Sequence, residues 1–159
     1  FHNQKILSKL KKMKSFSQAQ SIGCYYSIGS EVQTNDLIKA LLSEKKIVSL
    51  PQVCDDTMVF RRIEDITKLE TGNFDIPEPK ESCPIQETHD VILVPCIGLD
   101  NNGNRIGYGY GFYDKYLSKN ESTKIALAYS KQIVKSIPNS EHDVKMDWIV
   151  TETDVIKIS

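Results

Sequence analysis

The residues of this chain best suited to chemistry lie in one run, Gly107-Tyr108-Gly109-Tyr110-Gly111-Phe112-Tyr113-Asp114-Lys115. Three alternating glycines leave room for a ligand to touch backbone and permit the positive φ values that other residues resist. Successive N–H groups in such a loop form a concave anion cradle. The segment that follows, 112–119, predicts a helix whose positive N-terminal end adds to that cradle. Asp114 stands in its first turn, where a carboxylate either complements the helix dipole or holds a magnesium ion that bridges phosphate oxygens. Lys115 is placed to neutralise phosphate charge. Taken alone, the glycine pattern is shared with plain tight turns. It is no Walker loop, since no Gly-Lys-Ser/Thr follows, and its third glycine comes one residue early for Gly-x-Gly-x-x-Gly.

Such a loop needs a frame, and hydrophobic periodicity supplies one. Ile6, Leu10 and Met13 recur at helical spacing over 2–14, leaving Lys5, Lys9 and Lys12 as a solvated face. A second helix is predicted over 35–43, with Thr34 as its N-cap and Leu37, Ile38, Leu41 and Leu42 as its apolar stripe. Short apolar runs predict strands at 21–27, 47–50 (stopped by Pro51), 58–63, 91–94, 124–129, 147–151 and 155–158. Residues 67–88, polar and broken by Pro77, Pro79 and Pro84, read as a long ordered loop of the kind that often carries function. The run Val91-Ile92-Leu93-Val94 suits a central parallel strand buried on both faces. Alternating strands and helices imply an α/β fold, a three-layer α/β/α arrangement with a mostly parallel central sheet. Ligands in such sheets bind beyond the carboxyl ends of the strands, and the glycine loop follows one of those ends.

The 159 residues suit one domain with its own core, at 40% apolar and 26% charged. A net charge of −1 offers nothing global to nucleic acid or an anionic membrane. No stretch approaches the ~20 apolar residues that span a bilayer. No secretory signal pattern is visible, so a cytoplasmic monomer is expected. Cys24, Cys54, Cys83 and Cys96 match no Cys-x-x-Cys or zinc spacing and read as idle thiols. The chain opens on Phe1 rather than methionine.

Three further segments stand in order around the glycine run: Ser27-Ile28-Gly29-Ser30-Glu31-Val32-Gln33-Thr34, then Asn73-Phe74-Asp75-Ile76-Pro77-Glu78-Pro79, then Glu141-His142-Asp143-Val144 with Asp147 and Thr151-Glu152. Together with Asn104-Arg105-Ile106 and the glycine run, they resemble the motifs of the 5-formyltetrahydrofolate cyclo-ligases, also called methenyltetrahydrofolate synthetases. The resemblance covers about 22–152. It implies ATP-dependent conversion of 5-formyltetrahydrofolate to 5,10-methenyltetrahydrofolate with Mg²⁺, through a phosphorylated formyl oxygen. Carried over by position, it implies that Gly107, Gly109 and Gly111 line the triphosphate, with Tyr108, Tyr110 and Phe112 in the same loop and Arg105 at its entrance. It further implies Asp114 as the magnesium ligand, Tyr113 between nucleotide and folate, and Lys115 near phosphate. Glu31 matches an acidic residue close to the formyl group, and Met58 and Phe74 match positions that pack the pterin. His142 is expected to be structural.

The chain departs from the family pattern in three places. Tyr108 and Tyr110 stand where some members carry arginine and lysine, and tyrosine is uncharged at neutral pH. Asp75 replaces a glycine, a position aspartate tolerates if φ is positive. A basic N-terminal helix that reaches the nucleotide in the family is expected before Phe1. A non-catalytic domain that senses a phosphorylated metabolite is the alternative the fold alone would allow. Asp114 and Glu31 weigh against it, since a plain anion sensor gains nothing from carboxylates beside its phosphate.

Overall fold

The run Val91-Ile92-Leu93-Val94 is apolar at every position because both of its faces are covered. In the computed structural model, which describes residues 1–107 and 110–158, Val91 and Leu93 join one hydrophobic cluster and Ile92 and Val94 the other. Strand geometry sends successive side chains to opposite faces, so these four residues tie two layers of helix to one sheet.

In chain order the elements are α1 (His2–Lys12), α2 (Lys14–Ser17), β1 (Ser21–Gly23), α3 (Asn35–Ser43), β2 (Ile47–Cys54), β3 (Thr57–Ile63), β4 (Leu69–Thr71), β5 (Pro77–Pro79), β6 (Val91–Val94), β7 (Gly98–Leu99), β8 (Arg105–Ile106), α4 (Phe112–Leu117), β9 (Thr123–Leu127), β10 (Trp148–Val150) and β11 (Val155–Lys157). Among the described residues the main sheet runs β11-β10-β9-β6-β1-β2-β3. The inner pairs β10–β9, β9–β6, β6–β1 and β1–β2 are parallel, and β11 and β3 close the edges antiparallel. Ile6 and Leu10 of α1 and Leu37, Ile38 and Leu41 of α3 pack with Val48, Leu93 and Ile125. Leu117 of α4 packs with Ile92, Ala126 and Ile149. The expected three-layer α/β/α arrangement follows, and each such side chain contributes about 1.5–3 kcal/mol when fully buried. No helix among the described residues is long and apolar enough to cross a membrane.

Local chemistry moved two strand ends, rerouted one cap and added a hairpin. The first strand ends at Gly23, and a turn follows at residues 29–30. Thr34, expected as a side-chain N-cap, instead donates its hydroxyl to the Tyr25 carbonyl. Pro51 does not stop β2, which continues to Cys54. The β1 ladder ends with Gly23 opposite Ser49, so beyond that point β2 is paired in the main sheet on the β3 side alone. Such an edge-like stretch tolerates a residue without N–H. The polar segment 67–88 holds a small hairpin, β4 with β5, in which both prolines sit in a two-stranded edge sheet.

One buried titratable group makes the fold pH-sensitive. His89, 6% exposed, bonds the Ser49 hydroxyl through Nε2 at 2.6 Å and stands edge-on to Phe60, and its Nδ1 has no partner among the described residues. Burial pushes its pKa down to about 4, only partly offset by Asp90. The folded state therefore binds fewer protons than the unfolded chain between about pH 4 and the ordinary histidine value near 6.5. Stability from this group is complete above that window and is lost as pH falls through it, by up to about 2–3 kcal/mol. Urea midpoints measured from pH 7 to 4 should fall more steeply for the native chain than for His89→Gln. Parallel curves would remove the histidine from the account.

Candidate active site

The strand order reverses direction next to β1. From β1 the chain crosses by α3 to β2 on one side, and β6 later pairs on the other. A crevice opens where connections diverge in this way, beyond the carboxyl ends of the two strands. The residues leaving β1 and β6 therefore form its walls, and the motif residues fall in both.

The wall after β1 is a tight turn closed by Glu31. Gly29 takes φ 56°, Glu31 N donates to the Ile28 carbonyl at 3.1 Å, and Ile28 N donates to Glu31 Oε1 at 2.8 Å. The carboxylate is thus held in a buried position, 7% exposed. Tyr25 braces the turn from beneath, donating its hydroxyl to the Val32 carbonyl at 2.8 Å. Burial, reinforced by Cys24 and the Glu31 carboxylate, pushes the Tyr25 pKa well above its ordinary value, so the phenol stays a donor.

The wall after β6 is built around Asp100. Its carboxylate accepts from Asn102 N (3.0 Å), Asn104 N (3.0 Å), Asn104 Nδ2 (3.1 Å) and Ile137 N (2.9 Å). Burial raises its pKa, but these donors outweigh it and hold the group below its ordinary value. The turn at 100–103 then returns the chain through the β7–β8 hairpin, which delivers Arg105. Arg105 is 5% exposed at its side chain, donates from Nη1 to the Pro95 carbonyl at 3.0 Å, and lies 5.5 Å from the centre of the Tyr113 ring. Its Nη2 is 3.9 Å from Asp114 Oδ2, and its Nε is a buried donor with no partner among the described residues. A Cβ at Gly107 would sit 2.6 Å from Arg105 Nη1, so only glycine lets the guanidinium lie this close to the loop. Gln132 ties the same wall to the end of β9, donating to the Cys96 and Ile97 carbonyls at 3.3 and 3.1 Å.

Gly111 at φ 72° turns the loop into α4, a left-handed conformation that favours glycine. The helix then distributes its side chains by phase. Tyr113 faces Arg105. Asp114 Oδ1 accepts from Val144 N at 3.1 Å, so the fourth sequence motif meets the third through backbone. His142 itself is exposed, with its Nε2 3.9 Å from Glu141 Oε1. Lys115 is exposed and points with Phe112 and Tyr116 towards β3, on a different face from Asp114. Tyr108 and Gly109 lie outside the described residues.

An aromatic wall flanks the loop. Phe74 takes φ 62° and Asp75 φ 57°, the left-handed conformation anticipated for the aspartate that replaces glycine. This bend sets the Phe74 ring 4.8 Å from Tyr110 and 6.5 Å from Phe112, and Tyr110 stacks on Phe112 at 5.8 Å. Phe74 and Tyr110 remain 52% and 62% exposed, an apolar surface open to a flat ligand. Asn73 anchors this segment by donating to the Val53 carbonyl at 2.8 Å. Next to it, a cavity of about 330 Å³ opens between β3 and α4, with Met58 and Phe112 in its lining. The structure therefore gathers Glu31, Arg105, Gly107, Gly111, Tyr113 and Asp114 at the crevice and sets Tyr110, Phe112, Phe74, Met58 and Lys115 along one side.

The donor set discriminates between metals. Among the described residues no group of three or more metal-ligating side chains occurs, which does not fit zinc. One carboxylate, Asp114, a quarter exposed at its side chain, fits magnesium, which keeps several waters and takes further oxygens from substrate phosphates. The orphaned Arg105 Nε fits an anion close by. Three of the four thiols are out of reach as ligands: burial pushes Cys24 and Cys96 up to about 12, and Cys83 is also buried. The sequence reading missed Tyr25, Asp100 and Gln132, which position the walls from outside every motif. The Asp-Asn-Asn-Gly run marks a turn at 100–103, but nothing along the chain shows that the Asp100 carboxylate also holds Ile137 N.

Comparisons with known proteins identify the family. The sequence profile of the 5-formyltetrahydrofolate cyclo-ligase family matches residues 2–152. A 5-formyltetrahydrofolate cyclo-ligase of Haemophilus influenzae is 34% identical over 139 residues, covering 81% of this chain and 74% of that protein. One of Mus musculus is 32% identical over 153 residues, covering 86% and 75%. The solved structure of Aquifex aeolicus 5,10-methenyltetrahydrofolate synthetase has the same fold, with a TM-score of 0.87 at 31% identity over 98% of this chain and 80% of that one. Profile, relatives and fold agree, and the chain belongs to the 5-formyltetrahydrofolate cyclo-ligase family.

Proposed function

We propose that this chain converts 5-formyltetrahydrofolate to 5,10-methenyltetrahydrofolate at the expense of ATP. The observation that carries the reading is a pair of opposite charges, one from each wall, that both act on the buried Cys96 thiol. Glu31 is a buried carboxylate on the β1 side, and Arg105 is a buried guanidinium with a spare donor on the β6 side. The reaction needs this polarity. The formyl oxygen attacks the γ-phosphorus and the bond to ADP breaks, which leaves a cationic N5=CH–O-phosphate. N10 then attacks that carbon and loses its proton, and phosphate departs with the former formyl oxygen. Negative charge concentrates on the phosphoryl side and positive charge on the folate side, so the protein contributes chiefly orientation and charge.

In this reading Gly107, Gly109 and Gly111 give backbone N–H groups to the triphosphate, and Arg105 supports its charge. Glu31 steadies the cationic carbon between N5 and N10. Tyr113 separates nucleotide from folate, while Phe74, Tyr110, Phe112 and Met58 offer the pterin an apolar wall. Asp114 is where magnesium would be held, and its chemistry there is neutralisation of phosphate oxygens. Lys115 adds a cation where the loop meets the cavity. Methenyl product, followed by its absorbance, should appear only with ATP, with one phosphate released per turnover. ATP hydrolysis that ignores 5-formyltetrahydrofolate, or no product at high protein concentration, would overturn the proposal.

A further inference from the structure

The β4–β5 hairpin carries Phe74 and Asp75 at its tip and forms a sheet of its own, with no ladder to the main sheet among the described residues. Its base is anchored: Leu69 packs on the core, and Gln52 Nε2 of β2 donates to the Pro79 carbonyl at 3.5 Å. Its tip is held differently. Val53 lies past the end of the β1 ladder, and its two main-chain polar groups go to the hairpin instead. Val53 N donates to Glu78 Oε2 at 3.0 Å, and the Val53 carbonyl accepts from Asn73 Nδ2 at 2.8 Å. The Asn73 N–H donates to the same Glu78 carboxylate. A Cβ at Gly72 would collide with that carboxylate, so glycine is what lets the side chain lie against the tip. The carboxylate is 7% exposed and stands opposite Glu70 across the hairpin. Burial raises its pKa and Glu70 adds to the rise, against the two N–H donors. A hairpin that needed only to fold would be better served by a neutral residue, since a buried carboxylate facing a like charge is unfavourable. Phe74 at φ 62° is unfavourable too, because the left-handed region is an outlier for a bulky side chain. Strained features held in place by their surroundings mark ligand clamps and other functional segments.

We propose that Glu78 is a positioning residue of the reaction: with Asn73 it latches the hairpin tip to Val53 and so holds the Phe74 ring over the crevice. The inference rests on the substrate reading above, in which Phe74 packs the pterin. Val53 faces Met58 across the β2–β3 ladder, so the latch also sets Phe74 relative to Met58, the other end of the apolar wall. Once released, Phe74 relaxes to an ordinary φ, and its ring leaves Tyr110 and Phe112, now 4.8 and 6.5 Å away. An aromatic contact of this kind is worth roughly three- to tenfold in affinity. It acts alike on bound substrate and transition state. Its loss therefore shows in the KM for 5-formyltetrahydrofolate and leaves kcat and the KM for ATP alone.

The test pairs amide hydrogen exchange with a double-mutant cycle. Amides 72–76 should exchange faster, roughly tenfold in Glu78→Ala and roughly threefold in Asn73→Ala, while those of β6 keep native protection. The KM for 5-formyltetrahydrofolate should rise in both, by up to roughly tenfold in Glu78→Ala. Phe74→Ala should show a rise of the same size, and adding Glu78→Ala to it should change nothing further. Native exchange at the tip in either variant would overturn the latch. Faster exchange with additive effects on KM, or with a fall in kcat in place of the rise in KM, would reduce Glu78 to a structural brace and overturn its positioning role. Absence of product from the native protein would overturn the substrate reading, and the exchange rates would still decide the latch.

Discussion

Asp114→Asn should lower kcat by about 10²–10³-fold with an unchanged unfolding midpoint. The substitution is nearly isosteric. Its amide oxygen can still accept from Val144 N, which Asp114 Oδ1 does at 3.1 Å in the native chain, so the tether between α4 and the 141–144 segment survives. What disappears is the negative charge facing Arg105 at 3.9 Å and, with it, the proposed magnesium ligand. Asp114→Ala removes the acceptor as well and should cost a further ~1 kcal/mol of stability. The pair of variants separates the two roles of one side chain. Native turnover with native magnesium dependence in Asp114→Asn would reduce the residue to a tether.

Glu31→Gln should lower kcat/KM for 5-formyltetrahydrofolate by roughly 10- to 150-fold, the range of a lost charge-assisted hydrogen bond of about 1.5–3 kcal/mol. KM for ATP should stay near its native value, because the carboxylate belongs to the β1 wall and the glycine loop to the β6 wall. Glutamine keeps an oxygen for the Ile28 N–H, a 2.8 Å bond in the native chain, so the turn around Gly29 is retained. The same variant therefore tests chemistry and geometry separately. If both substrates lose affinity together and the unfolding midpoint drops, Glu31 serves the turn alone.

Much of the frame was legible in the residues because it depends on local periodicity. The helix expected over 35–43 is α3, Asn35–Ser43, and the strand expected over 91–94 is β6, Val91–Val94. Amphipathic spacing and a doubly apolar run leave few other solutions. Misread segments are those in which a neighbour overrode the local signal. Pro51 stops a strand only where its missing N–H would leave a ladder bond unmade, and the end of β1 at Gly23 removes that demand. Pro77 and Pro79 argue against a strand until an edge hairpin with Leu69–Thr71 accepts them. Asp75 shows the opposite case: aspartate tolerates a positive φ in place of a motif glycine, and the backbone takes one there.

The sequence by itself nominated the motif residues for the candidate site, since motif order, glycine spacing and residue type are one-dimensional properties. It also determined the α/β layering, through alternating periods of two and 3.6. Only the tertiary structure decided what each side chain faces. Tyr113, Asp114 and Lys115 are consecutive, yet one meets Arg105, one meets Val144 N and one turns towards the cavity beside β3. Successive residues of a helix are rotated about 100° from one another, so their directions acquire meaning only once the helix is seated on a sheet. Gly111 begins that helix and Leu117 seats it against Ile92, Ala126 and Ile149. The phase so chosen puts a carboxylate beside the glycine loop and two lysines along the cavity, a division of charge that no reading along the chain contains.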